Sequence, residues 1–267
     1  MIPELARDTL VSALKKGGEV LMTYLGKTME ATVKESISSV VTEADLASER
    51  AILEVFDAAP EVLNVITEET GYINNNSDYT WVVDPLDGTS NFAAGLPWFG
   101  VIIALFHKET PVLGGMYLPV DQDLYLTDAG SGATRNGQAL TVTPFTTLAE
   151  HLVAYSFDFS EDPAKTRSEM EIMAKLSREV RNIRSTNSLF DFCYVADGRL
   201  GAALNQATKI WDIAVPWLMI REGGGTVTDI HGNEIRFDLS SRAVDQNYTI
   251  LASGAGLHTT ILKTIHL

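Results

Sequence analysis

Apolar side chains recur at helical spacing where the chain begins. Leu5, Leu10, Leu14, Leu21 and Leu25 predict a helix over residues 3 to 25, weakened in its middle by Gly17-Gly18 and stopped by Gly26. A short β-prone piece, Ala31 to Lys34, precedes a second amphipathic helix that Thr42 opens and Phe56 ends. Val62 to Thr67 reads as a strand. Gly71 to Asp78, with three consecutive asparagines, reads as a polar loop, and a further strand ends in Trp81-Val82-Val83.

From Phe99 the pattern is β: Phe99 to His107, Val112 to Leu118 and Asp123 to Leu126, followed by an Asn136-Gly137 hairpin turn. Three successive strands argue for antiparallel sheet. The next 100 or so residues mix both periods. Leu152 to Phe157 is a strand, Asp162 to Glu179 a charged amphipathic helix, Asn182 to Arg184 a short strand, and Leu189 to Ala196 a buried helix. Leu200 to Leu204 is a strand, Ile213 to Arg221 a helix, and Gly223-Gly224-Gly225 its stop. Thr226 to Ile230 and Thr249 to Ala252 are strands, and a last helix follows Gly254. The expected class is mixed α/β, with an α+β half over residues 1–150 and an α/β half over 151–267. The second half starts near residue 150, and the polar stretch Phe157 to Asp162 is expected to mark the boundary between the halves.

Composition narrows the partners. The 267 residues are 45% hydrophobic, enough for a full core, and carry 35 acidic against 20 basic side chains, a net charge of −15. That balance disfavours nucleic acid and anionic membranes, and suits a protein that holds cations. A single cysteine, Cys193, excludes an internal disulfide and reads as a buried thiol. No apolar stretch is long enough to span a bilayer, and no signal-like leader opens the chain, so a cytoplasmic protein is expected.

The densest chemistry lies between Tyr79 and Phe92. Asp84, biased to extended backbone by Pro85, projects past a strand end, and Asp87 can turn back into the same space. The Leu86 carbonyl is expected to be free in that turn, and Gly88-Thr89-Ser90 to open a short helix whose N–H groups favour an anion. The same residues also suit an ordinary Asx turn. Of Glu68 and Glu69, adjacent on a strand, one faces any given site. Thr42-Glu-Ala-Asp45 fits a capping box that still lets Asp45 look toward the carboxylates. Asp212 stands at or near the N-cap of the helix that follows Trp211. The set contains oxygen ligands only, which favours Mg²⁺ over Zn²⁺. The five histidines are scattered and support no Ser-His-Asp triad.

These segments resemble the inositol monophosphatase family of Mg²⁺-dependent, lithium-sensitive phosphatases. Val41-Thr42-Glu-Ala-Asp45 is similar to its Val-Thr-x-x-Asp, and Thr67-Glu68-Glu69-Thr70 to its Gly-Glu-Glu-Ser. Asp84-Pro-Leu-Asp-Gly-Thr-Ser-Asn-Phe92 is similar to its Asp-Pro-Ile/Leu-Asp-Gly-Thr-x-Asn-Phe. Trp211-Asp212-Ile-Ala with Glu222-Gly-Gly-Gly is similar to its Trp-Asp-x-Ala and Glu-Ala-Gly-Gly. The resemblance implies a layered α-β-α-β-α sandwich, a homodimer, a small phosphorylated substrate, and two or three Mg²⁺ ions. It makes Glu68, Asp84, Asp87, Asp212 and the Leu86 carbonyl metal ligands, with Asp45 at a third, weaker ion. Glu68 would position the attacking water, and Thr89 with Asp45 would take its proton. The substrate would meet Asp87, Gly88, Thr89, Asn187, Ser188, Asn205 and Asp212, and no phospho-enzyme is implied.

Three positions depart from the family pattern. Val215-Pro216 replaces a glycine after Trp-Asp-x-Ala, Asn205 replaces an acid, and Asn187-Ser188 replaces a Gly-Ser/Thr pair. The first substrate expected is inositol 1-phosphate or a related polyol or sugar phosphate. Histidinol phosphate, fructose 1,6-bisphosphate and 3′-phosphoadenosine 5′-phosphate are the alternatives within the fold. A non-catalytic protein-binding regulator is the alternative of another class, and it predicts eroded ligands.

Overall fold

The computed structural model describes residues 3–27, 32–33, 40–41 and 43–266. Thr42, and with it the expected capping box, lies outside them, as do Ala31 and Lys34. The chain opens with α1 (Ala6–Tyr24), a two-stranded antiparallel pair β1 (Thr32–Val33) and β2 (Val40–Val41), and α2 (Glu43–Asp57). Next come β3 (Asn64–Thr67), β4 (Gly71–Ile73), β5 (Tyr79–Asp87) and the short α3 (Thr89–Ala93). A meander follows: β6 (Gly100–His107), β7 (Thr110–Leu118), β8 (Asp123–Asp128), β9 (Gly132–Arg135) and β10 (Gln138–Ala139). The remainder is β11 (Leu152–Ser156), α4 (Pro163–Glu179), β12 (Asn182–Arg184), α5 (Leu189–Ala196), β13 (Ala202–Thr208), α6 (Ile210–Glu222), β14 (Gly225–Thr228), β15 (Tyr248–Gly254) and α7 (Ala255–His266).

Two sheets result. One has eight strands in the order β10-β9-β8-β7-β6-β5-β3-β4, the other five in the order β12-β11-β13-β15-β14. The central strands from β5 to β10 are antiparallel, as three successive strands predict, and Asn136 and Gly137 both take positive φ at the β9–β10 turn. Helices α1 and α2 cover one face of the large sheet, α6 and α5 lie between the sheets, and α4 and α7 cover the small sheet. This is the expected α-β-α-β-α layering. Each junction has its own apolar cluster: Leu10, Leu14, Ile52 and Phe99 under α1 and α2, Ile102, Met116, Ile213 and Ile250 around α6, and Tyr155, Leu176 and Ile261 under α4 and α7.

The differences from the sequence reading have local causes. Gly17 and Gly18 are buried contact points: a Cβ would stand 2.9 Å from Ile52 at one and 2.5 Å from the Tyr117 ring at the other. The polar loop at residues 71–78 begins with β4, because Gly71 to Ile73 pairs antiparallel with β3. Helix α6 starts at Ile210 rather than Ile213, and its N-cap is Lys209, a residue that gives no capping signal. Cys193 is fully buried, its sulfur 3.9 Å from that of Met116, and burial pushes its thiol well up.

Gly100, opposite Asp87 in the β5–β6 ladder, shows how tightly the layers meet: a Cβ there would lie 2.4 Å from the Tyr117 carbonyl oxygen and 3.0 Å from Leu189. Since main chain cannot swing aside, Gly100→Ala is expected to destabilise the fold by about 1–3 kcal/mol. A urea titration checks this by a lower midpoint at unchanged slope.

Candidate active site

Strands β3 and β5 run parallel and in register, with Thr67 beside Val83, so the next residues, Glu68 and Asp84, stand at the same level where that parallel pairing ends. The Glu68 N–H donates to the Val83 carbonyl at 3.3 Å, which fixes that level. Asp84 and Asp87 are three residues apart, a spacing that would send them to opposite faces of a regular strand. The structure removes the conflict with a β-bulge. Asp84 pairs with Ile102 and Asp87 with Gly100, so β5 carries one residue more than β6 across this stretch. The expected turn after Val83 is thus a bulged continuation of the strand. Gly88 then turns the chain at φ 83°, where a Cβ would be 2.4 Å from the Trp98 carbonyl oxygen.

Asp212 comes from the opposite side. It is the third residue of α6, not its cap, and its Oδ2 accepts the Lys209 N–H at 2.7 Å. Asp84, Asp87 and Asp212 each offer a carboxylate oxygen, and these oxygens lie within 4.8 Å of one another. Each acid is steadied by one main-chain N–H: Leu86 on Asp84 (3.0 Å), Leu189 on Asp87 (2.6 Å) and Lys209 on Asp212. No lysine or arginine side chain pairs with any of the three among the described residues.

The electrostatic consequence is plain. Burial pushes the Asp84 carboxyl well above the ordinary carboxylate range, and Glu68, Asp87 and Asp212 push it further. Asp212 is raised by burial and then by Asp87. Asp87 is raised to about 7 by burial, against the Leu189 N–H, which lowers it, with Glu68 and Asp191 adding to the rise. Such a site favours either protons or a cation.

A cavity of about 550 Å³ holds these residues. Its lining includes Glu68, Asp84, Leu86, Asp87, Gly88, Thr89, Asn187, Ser188, Asn205 and Asp212, which is every expected site residue except Asp45. Fully buried Asp45 is reached through Thr89, whose hydroxyl stands 3.1 Å from Asp45 Oδ1 and 2.9 Å from the Leu86 carbonyl. The Leu86 carbonyl is therefore not free, as the turn reading expected. It already accepts from Thr89, since the bulge turns that hydroxyl back onto it, and only its second lone pair stays open. A larger groove of about 700 Å³ between α4 and α7 has mixed charge and no converging acids. Ser253 and His258 meet at 2.8 Å, but both are buried and the ring's other nitrogen meets Thr228 rather than a carboxylate, so no triad forms.

Several residues went unnoticed in the sequence. Glu49, 3% exposed, accepts the Thr67 and Thr70 hydroxyls and the N–H groups of Glu69 (3.1 Å) and Thr70 (3.3 Å), so it fixes the turn that carries Glu68. Ser48 donates to the Pro85 carbonyl at 2.8 Å. Buried Asp191 accepts the Ser156 hydroxyl at 2.8 Å and the Thr186 N–H at 3.3 Å, which holds the turn bearing Asn187 and Ser188. Asp158, Phe159, Lys165 and Lys209 also line the cavity. A signal existed for the buried acids: Glu49 falls four residues after Asp45, on the inward face of its helix, and Asp191 interrupts an apolar one.

The sequence profile of the inositol monophosphatase family matches residues 4–266. The chain belongs to the inositol monophosphatase family. It is 34% identical over 220 residues, 82% of each chain, to a protein of Haemophilus influenzae named Nus factor SuhB. It is 31% identical over 261 residues to the inositol-1-monophosphatase of Caulobacter vibrioides, covering 96% of this chain and 99% of that one. The solved structure of the extragenic suppressor protein suhB from Bartonella henselae superposes with a TM-score of 0.88 at 28% identity, over 98% of both chains. Membership in the inositol monophosphatase family places the chain among phosphatases. No helix among the described residues is long and apolar enough to cross a membrane.

Two predictions follow from this geometry. The acids have folded-state pKa values raised above their unfolded ones, so the stability they lend is fully present below the unfolded value of about 4 and is lost as pH rises through the folded value. For Asp87 that value is about 7. In EDTA, the melting temperature is expected to fall as pH climbs from about 5 to about 8, and Asp87→Asn to flatten the slope. Differential scanning fluorimetry reads both. Glu49→Leu takes this acceptor from the Thr67 and Thr70 hydroxyls and the Glu69 N–H, while the Thr70 N–H keeps the Thr67 hydroxyl at 3.1 Å. The substitution is expected to cost about 2–4 kcal/mol in chemical denaturation.

Proposed function

We propose that the protein is a Mg²⁺-dependent phosphomonoesterase acting on a small polyol or sugar phosphate, with inositol 1-phosphate as the first candidate. The observation that carries this reading is the meeting of Asp84, Asp87 and Asp212 carboxylate oxygens within 4.8 Å, with no basic side chain paired to them among the described residues. An all-oxygen, mutually repelling set of acids fits a hard divalent cation. Asp84, Asp87, Asp212, Glu68 and the open lone pair of the Leu86 carbonyl would hold two ions, with Asp45 toward a third. Bound Mg²⁺ neutralises a dianionic phosphate, makes a water more acidic and stabilises the departing alkoxide.

The chain's own groups supply the rest. Glu68 orients the water through its carboxylate. The Thr89 hydroxyl, in reach of Asp45, passes on that water's proton. The first N–H groups of α3, at Gly88 and Thr89, face the phosphate, and Asn187, Ser188 and Asn205 face the organic half. The division near residue 150, read from the pattern along the chain, a cytoplasmic setting, and a homodimer, which the family resemblance implies, belong to the same proposal. The large sheet ends at Ala139 and the small sheet begins at Leu152, on either side of that division.

The name Nus factor, carried by the Haemophilus relative, favours a second reading as a protein-binding regulator. The complete carboxylate set weighs against that as the sole role, because a non-catalytic descendant has no use for acids that repel one another. The test is phosphate release with Mg²⁺ from a panel of polyol, sugar, amino-alcohol and nucleotide phosphates. The expected outcome is turnover that EDTA abolishes, and Asp87→Asn at least roughly 100-fold slower with a melting temperature in EDTA no lower than the wild type's. A wild type silent across the panel overturns the proposal.

A further inference from the structure

Away from the carboxylates, the same cavity exposes a cation with no protein partner. Two lysines line it. Lys209 is committed, its Nζ donating to the Val244 carbonyl at 3.0 Å. Lys165, on α4, makes no hydrogen bond or ion pair among the described residues, and is half-buried at the cavity wall. One helical turn further on, Glu169 is 1% exposed, and neither of its carboxylate oxygens has a partner. An orphaned buried carboxylate is unfavourable unless a cation stands near it.

The groups around Glu169 leave one such cation. Burial pushes its carboxyl up, Lys165 pulls it back down and Asp158 pushes it up again. The Asp158 carboxylate accepts from Asn187 Nδ2 at 3.0 Å, and the Tyr155 hydroxyl is taken by Gln206 at 2.6 Å. Residues four apart share a helix face, so Lys165 stands with Glu169 on one side and the open cavity on the other. Its stem can pack on the wall while its ammonium faces inward. Asn205 adds to the same polarity: its Oδ1 accepts the Ala207 N–H at 2.8 Å, which leaves its amide donors for the cavity.

We propose that Lys165 is a specificity-determining residue that binds a second anionic group, carboxylate or phosphate, on the organic half of a phosphate monoester. Glu169 is the positioning residue that orients it. An anion meets an ammonium with a full charge where a hydroxyl offers only a dipole, so within the polyol and sugar phosphates of that reading this wall favours those that carry a second anionic group. The inference rests on the phosphatase reading above and names the substrate class for that site.

The experiment compares wild type, Lys165→Gln, Lys165→Arg and Glu169→Gln on three substrates with Mg²⁺. Glycerol 2-phosphate has a neutral organic half, 3-phosphoglycerate carries a carboxylate, and fructose 1,6-bisphosphate a second phosphate. With Lys165→Gln, kcat/KM for a doubly anionic substrate relative to glycerol 2-phosphate is expected to fall about tenfold, mainly through KM, the size of one charge-assisted hydrogen bond. Lys165→Arg restores the ratio and Glu169→Gln lowers it by less. The substrate that suffers identifies carboxylate or phosphate as the group recognised.

Binding gives a readout without turnover. Calorimetric titration with Ca²⁺ in place of Mg²⁺ is expected to show Lys165→Gln losing the same factor for 3-phosphoglycerate or the bisphosphate, but not for inorganic phosphate. Turnover with an unchanged ratio in Lys165→Gln overturns this inference and leaves the phosphatase reading standing. A wild type that neither turns over these esters nor binds them differently from Lys165→Gln overturns both.

Discussion

Three acids that repel one another stand within 4.8 Å, and the centre of the fold is arranged around holding them there. In a low-dielectric setting such repulsion is large, so flexible tethers would let the carboxylates drift apart. Each is instead fixed by a rigid device of a different kind. Asp84 sits where a parallel pairing ends, Asp87 on the far side of a β-bulge, and Asp212 in the first turn of a helix whose own N-cap N–H it accepts. Two devices belong to β5 in the large sheet, and the third to α6, which is buried between the sheets. The cluster therefore exists only when the layers dock, and that couples the chemistry to the core.

Behind the cluster stand acids that never reach the cavity. Glu49 gathers the Thr67–Thr70 turn, and Asp191 gathers the turn around Asn187. Both are buried carboxylates whose neighbours supply hydroxyl and N–H donors rather than a counter-ion. A satisfied network of this kind narrows the geometries open to a turn more than apolar packing does, because each donor has a direction. One such acid braces the side of the cavity that carries Glu68, the other the side that carries Ser188. Gly17 and Gly100 complete the bracing by letting α2 and β7 approach to distances that a side chain would prevent.

Much of this was legible in the residues themselves. The meander from β6 to β8 follows from long apolar runs broken by short polar turns, whereas the layering comes from the family resemblance and not from periodicity. The motif from Asp84 to Phe92 located the site, but the bulge within it did not show, because Pro85 and Leu86 suit a turn equally well in sequence. The start of α6 escaped because Lys209 is a poor cap and the work falls to Asp212 from inside the helix. Glu49 and Asp191 look like flaws in an apolar pattern until their partners are known. β4 stayed hidden because its pairing with β3 is a long-range fact that three residues beside an asparagine-rich turn cannot announce.

Pro216 shows how one boundary alters a physical argument. With a helix beginning at Ile213, Pro216 would be its fourth residue and would remove only the first intrahelical bond, the one to the carbonyl of an Asp212 cap. With the observed start at Ile210, Pro216 is the seventh residue of α6, and its absent N–H is the one that would have bonded the Asp212 carbonyl. The proline thus acts on the backbone of Asp212 itself, from a full turn away, and not on the entry of the chain into the helix. Asp212 nevertheless stays within the carboxylate cluster, because its side chain is tied to Lys209 on the N-terminal side of the lesion. The three departures from the family pattern therefore separate. Pro216 bears on the backbone of Asp212, through one carbonyl, whereas Asn187 and Asn205 bear on the lining of the cavity, through their side chains.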